Sequence, residues 1–119
     1  MGENKRVKRL HVRLSERDAY MLDYVSMHMN MTESEIFRRS LRNVYSAEKY
    51  GYTDYVPEVE TPAFKSHRKK DFNVRIYEEE LSMVQDICEK TGKTYSDVFR
   101  DGLTMLYSLV LYTQNDDKT

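Results

Sequence analysis

Arg9, His11 and Arg13 recur at every second position near the start of the chain, and Asn73 and Arg75 stand 62 positions beyond His11 and Arg13. These side chains bond flat, edge-on partners. A guanidinium can grip guanine O6 and N7 with two parallel bonds, and a carboxamide can do the same at adenine. Each such pair is worth about 1–3 kcal/mol of discrimination against other bases. This is chemistry of recognition, not of turnover. No nucleophile–base pair and no phosphate-binding loop is visible in the 119 residues, so no enzyme activity is expected, and His11 reads as a contact residue, not a catalyst.

The elements that must position these residues follow from the neighbours. In Lys8–Leu14 the apolar Leu10, Val12 and Leu14 alternate with Arg9, His11 and Arg13, the period-2 pattern of a strand with one covered face. Asp71–Ile76 repeats the pattern, with Phe72, Val74 and Ile76 on the apolar face. A lone strand can neither bury that face nor satisfy its edges, so the two are expected to pair.

Helical signals follow each strand. Ser15 can cap a helix whose first turn is acidic and whose apolar stripe is Ala19, Leu22, Val25 and Met29, ending at Asn30. Thr32 and Glu35 form a capping-box pattern ahead of Ile36, Phe37, Leu41, Val44 and Tyr45, with Gly51 as the stop. From there to Lys70 the chain is rich in Tyr, Pro and charge without a defensible period, and reads as linker.

The second half replays the first. Shifting 10–50 by 62 positions onto 72–112 gives twelve identities in forty-one positions without a gap, among them Val12/Val74, Arg13/Arg75, Thr32/Thr94, Ser34/Ser96, Phe37/Phe99 and Arg38/Arg100. Elsewhere character is kept, as in Leu14/Ile76 and Val25/Ile87, and Gly92 takes the place of Asn30. Ser40 and Gly102 put a small residue at the same point, as a close helix crossing requires. This is an internal repeat.

Strand, helix, tight turn, capped helix, in about forty residues with a basic outward strand face: the unit resembles the ribbon-helix-helix (MetJ/Arc-type) family of DNA-binding proteins. The likeness rests on Val12-Arg13-Leu14-Ser15-Glu16 with Thr32–Arg38, and on Val74-Arg75-Ile76 with Thr94–Arg100. It implies a mostly α fold with one β-ribbon, two ribbon-helix-helix motifs in one chain forming an intramolecular pseudo-dimer. Tandem members include regulators of archaeal viruses. The boundaries expected are 1–50 for the first motif with its basic arm, 51–70 for the linker, and 71–119 for the second motif with an extended last helix. A linker of about 20 residues, at up to about 3.3 Å each, easily spans a small domain. In such proteins the ribbon enters the major groove. The resemblance therefore implies a sequence-specific transcription regulator, such as a repressor, with Arg9, His11, Arg13, Asn73 and Arg75 reading bases. Alternatives are an accessory protein of plasmid processing or partition, or an antitoxin-type partner. Only 113–119 remain for the long tail an antitoxin usually carries.

Helix N-termini at Thr32–Ser34 and Thr94–Ser96 offer free N–H groups and a positive dipole end to an anion. In the family such ends grip phosphates, so Thr32, Ser34, Thr94 and Ser96 are candidate backbone contacts, joined by Lys5, Arg6, Lys8, Lys69 and Lys70. The net charge of −1 argues against a nucleic-acid partner, yet Lys and Arg crowd both strands while acid gathers at Glu78–Glu80 and Asp116–Asp117. A single basic run more often only solvates a terminus. Two in matching places are harder to dismiss. Asp71, at the repeat position of Arg9, is the exception and predicts a target without good two-fold symmetry.

Met105, Leu109, Val110 and Leu111 replace Asn43, Ala47, Glu48 and Lys49, which predicts self-association through the last helix. One cysteine, Cys88, allows no internal disulfide, and with scattered His11, His28 and His67 it makes no metal cluster. No cofactor and no small-molecule effector is expected. No run approaches a membrane span and no signal-peptide core follows the charged N-terminus, so the expected setting is the cytoplasm, with double-stranded DNA as partner.

Overall fold

The computed structural model describes residues 7–52, 55–64 and 69–117. Among these, six elements follow in order: β1 (Val7–Ser15), α1 (Glu16–Met29), α2 (Glu33–Lys49), β2 (Lys69–Tyr77), α3 (Glu78–Thr91) and α4 (Tyr95–Asp117). The molecule is mostly helical, and β1 and β2 form one antiparallel two-stranded sheet. Pairing is within the chain, from Val7 opposite Tyr77 to Ser15 opposite Lys69. Each strand runs slightly beyond its alternating core. Ser15 ends β1 and caps α1, and β2 starts at Lys69, inside the stretch that reads as linker.

The period-2 pattern does what it predicts. Val12, Leu14, Val74 and Ile76 are buried and Leu10 and Phe72 half-buried, all facing the helices, while the residues between them are exposed. One core draws on all six elements, with Leu22 and Val25 from α1, Val84 and Ile87 from α3, and Phe37 and Phe99 meeting edge-to-face at 5.3 Å between α2 and α4. Met21, outside the predicted α1 stripe, is fully buried. The halves thus stabilise one another; units of about forty residues commonly need such a partner.

Helix ends are built as the caps predict. Thr32 Oγ1 accepts from Glu35 N–H and the Glu35 carboxylate accepts from Thr32 N–H; Thr94 and Asp97 repeat the exchange. Asn30 (φ 53°) and Gly92 (φ 77°) hold the left-handed conformation that lets each first helix stop and the second begin. At α3 the cap residue is Tyr77, which keeps only half the box: its N–H donates to Glu80 Oε1 at 2.9 Å.

These boxes carry a pH signature. Hydrogen bonds from the Thr32 side chain and backbone lower the Glu35 pKa, and the Thr94 backbone bond does most to lower that of Asp97. A carboxyl whose pKa is lower folded than unfolded adds stability above its unfolded value, and that stability is lost as pH falls through the folded one. Urea midpoints are therefore expected to fall between about pH 5 and about pH 3, and to fall less steeply in a Glu35→Gln/Asp97→Asn variant.

Residues 50–52 and 55–64, between α2 and β2, have no periodic secondary structure, yet 55–64 is docked. Arg17 donates to Thr61 Oγ1 and to the Val59 carbonyl, Tyr107 Oη donates to the Glu60 carbonyl, and the Phe64 ring lies 5.8 Å from that of Tyr20. It is a strap along α1 and α4. Among the described residues no helix is long and apolar enough to cross a membrane.

Candidate nucleic-acid interface

The register decides what the ribbon presents. His11 lies opposite Asn73, its own counterpart at the 62-residue offset, so the two strands are centred on matching positions. On one side of that centre Arg9 faces Arg75; on the other Arg13 faces Asp71. All six residues are exposed. The five predicted base-reading residues therefore stand together in two short rows on one face, with Asp71 as the sixth member.

The N–H groups of Arg13 and Arg75 point away from the partner strand. Arg13 N–H donates to Ser96 Oγ at 3.0 Å and Arg75 N–H to Ser34 Oγ at 3.4 Å. The outward rows are thus the non-hydrogen-bonded pairs of the antiparallel ladder, where opposed Cα atoms approach to about 4.5 Å and side chains crowd. Like charges placed so are destabilising on their own. Arg9 and Arg75 form such a pair, an arrangement an anion or an acceptor-rich groove would relieve.

The same two serines join helix N-terminus to ribbon. Ser34 lies in the first turn of α2 and Ser96 in that of α4, and each binds the edge of the strand from the other half. Each helix N-terminus is thereby fixed beside one ribbon edge. Thr32 and Thr94 use their hydroxyls as caps and remain exposed. Replacing both Ser34 and Ser96 with alanine removes two bonds to exposed edge amides, and about 1–2 kcal/mol of stability is expected to be lost in sum, read from urea unfolding.

Beneath the ribbon lie two buried carboxylates whose partners the sequence does not announce. Asp18 and Glu80, each 2% exposed, occupy the same repeat position. Arg100 Nε donates to Asp18 Oδ2 at 2.8 Å, and Arg42 Nε to Glu80 Oε2 at 3.1 Å, so each bridge crosses between halves. Arg100 also reaches Asp97 Oδ1 at 3.2 Å. Its repeat counterpart Arg38 behaves otherwise, donating to the Arg75 carbonyl at 3.3 Å and lying over the Tyr77 ring at 5.2 Å. Asp71 Oδ1 lies 3.2 Å from His11 Nε2 and 3.4 Å from Arg13 Nε.

Lys8, near one end of β1 and opposite Ile76 in the helix-facing row, is half-buried, and Lys69 and Lys70 are exposed at the opposite end of the ribbon. Lys5 and Arg6, and likewise Lys65, His67 and Arg68, lie outside the described residues. On α4 Val110 is buried in the chain's own core, because the helix continues past it against α1, which withdraws it from any surface. Met105 and Leu111 are half-covered, and Leu109 is 56% exposed beside the exposed Tyr112. Burial raises the Cys88 thiol pKa, as suits a packing residue.

No protein-family model matches the chain, and no curated protein or solved structure matches it either.

Proposed function

We propose that the chain is a sequence-specific DNA-binding transcription regulator, a tandem ribbon-helix-helix protein whose single polypeptide supplies the two-stranded ribbon that homodimeric members build from two chains. One observation carries the reading: two repeated strands pair with each other so that Arg9, His11, Arg13, Asn73 and Arg75 share one exposed face above a common core. A ridge of two strands fits a major groove about 12 Å wide, where base edges offer the acceptors that guanidinium and carboxamide groups match. The N-termini of α2 and α4, fixed to the ribbon edges through Ser34 and Ser96, would then lie against the flanking phosphates with Lys8, Lys69 and Lys70. Base contacts specify and phosphate contacts set register. On this reading neighbouring copies on one duplex meet at Leu109 and Tyr112, the exposed remnant of the α4 surface.

The test is selection from a random duplex library, followed by footprinting on DNA flanking the protein's own reading frame. A converged motif about one groove wide, bound with an affinity that falls steeply with salt, supports the reading. Failure to enrich any duplex, or affinity indifferent to salt, refutes it.

A further inference from the structure

Resting on that reading, we infer that recognition is one-sided, and that Asp71 is the residue that makes it so. Under the 62-residue repeat, Arg9 corresponds to position 71 and Arg13 to Arg75. A chain with arginine at all four places would present two equal ends. This one does not. The end built by Arg9 and Arg75 carries two opposed guanidiniums, with Arg38 on the Arg75 carbonyl as a third. None of the three lies within ion-pair distance of a carboxylate among the described residues; the Glu35 carboxylate one turn before Arg38 is held by the Thr32 cap and acts on Arg38 only at longer range. At the other end Arg13 and His11 share the Asp71 carboxylate, and Arg100 lies between Asp18 and Asp97.

The asymmetry thus appears twice, in the ribbon and in the helices beneath it. The Arg9/Arg75 end has donors free for guanine O6 and N7. At the Arg13/Asp71 end a carboxylate that only accepts holds the arginine, repels phosphate and tolerates no acceptor edge, leaving a cytosine amino group as its natural neighbour. The target is then a duplex with a strong guanine requirement in one half-site and a weak or cytosine-facing one in the other.

Three proteins decide it: wild type, Asp71→Arg and Asp71→Asn, each put through duplex selection and then titrated against the wild-type motif and its symmetrised version. Wild type is expected to converge on an asymmetric motif. Asp71→Arg is expected to acquire guanines at both ends and to bind the symmetrised site between about fivefold and a hundredfold tighter than wild type does. Asp71→Asn, which keeps the size of the side chain and frees Arg13, is expected to move the same way by less, and it answers the question should the arginine variant not fold. A converged wild-type motif that is a perfect inverted repeat, or an unchanged motif in the variants, overturns the one-sidedness and leaves groove reading standing. A wild-type pool that never converges overturns groove reading and the inference with it.

Discussion

Replacing Arg9 and Arg75 together with alanine is expected to weaken binding to the selected duplex by about 10²- to 10³-fold, with folding stability unchanged or slightly raised. Each guanidinium in a bidentate contact with guanine is worth about 1–3 kcal/mol of discrimination, and each 1.4 kcal/mol is tenfold in affinity. Two adjacent contacts are not fully additive, which sets the expected loss inside the simple sum. Stability should move the other way. The two residues are exposed and directly opposed in a non-hydrogen-bonded pair, so their removal relieves a like-charge contact of about 0.2–1 kcal/mol. Arg13→Ala is expected to lose less binding, because Asp71 already shares that side chain. Anisotropy titrations on specific and scrambled duplexes separate the outcomes. Loss on the specific duplex alone marks base reading, and equal loss on both marks a phosphate contact. No loss on either removes the ribbon from the interface.

The parts of this site that were legible in the sequence are those set by local period. Alternation along Lys8–Leu14 and Asp71–Ile76 fixes which side chains face out, because a strand has only two faces. The repeat narrows the register without choosing it. Two like strands that pair antiparallel must be centred on corresponding residues, and the His11/Asn73 pair is such a centre. Which pair is the centre is not set by alternation, since a shift of the centre by one residue keeps both apolar rows on the helix side; only the structure places Asp71 opposite Arg13. Long-range polar contacts were not legible in this way. That Ser96 would accept from the Arg13 amide, 83 residues away, depends on where α4 docks. Asp18 and Glu80 carry the sequence mark of dipole-favoured first-turn acids, and nothing local says that each would be buried beneath an arginine from the other half. The strap at 55–64 has no period at all; Tyr55, Val59 and Phe64 dock singly, by shape. Val110 departs from the expected surface position for a related reason. Excess apolar surface on a helix looks like a partner's footprint until the chain's own core has claimed its share.

Gly102→Ala is expected to be the most damaging single-methyl change in the molecule, lowering stability by about 3 kcal/mol and the melting temperature by about 10 °C or more. Propensity alone predicts the opposite, since alanine is about 1 kcal/mol better than glycine inside a helix. Contact geometry outweighs it. A Cβ on Gly102 would fall 2.5 Å from the Ser40 carbonyl carbon and 2.6 Å from its Cα, and closer still to the Ser40 carbonyl oxygen. These are backbone atoms of α2, which no rotamer change can move aside. Relief requires α2 and α4 to separate, and that would part Phe37 from Phe99 one turn away and carry Ser34 and Ser96 off the ribbon edges. The facing position gives the control. Ser40 is fully buried and its hydroxyl has no hydrogen-bond partner among the described residues, so Ser40→Ala removes an unsatisfied polar group without adding volume and is expected to be neutral or stabilising. Urea unfolding of the two variants reads the difference directly. Equal stability of Gly102→Ala and wild type would mean that the helices do not cross here, and that the platform beneath the ribbon is built some other way.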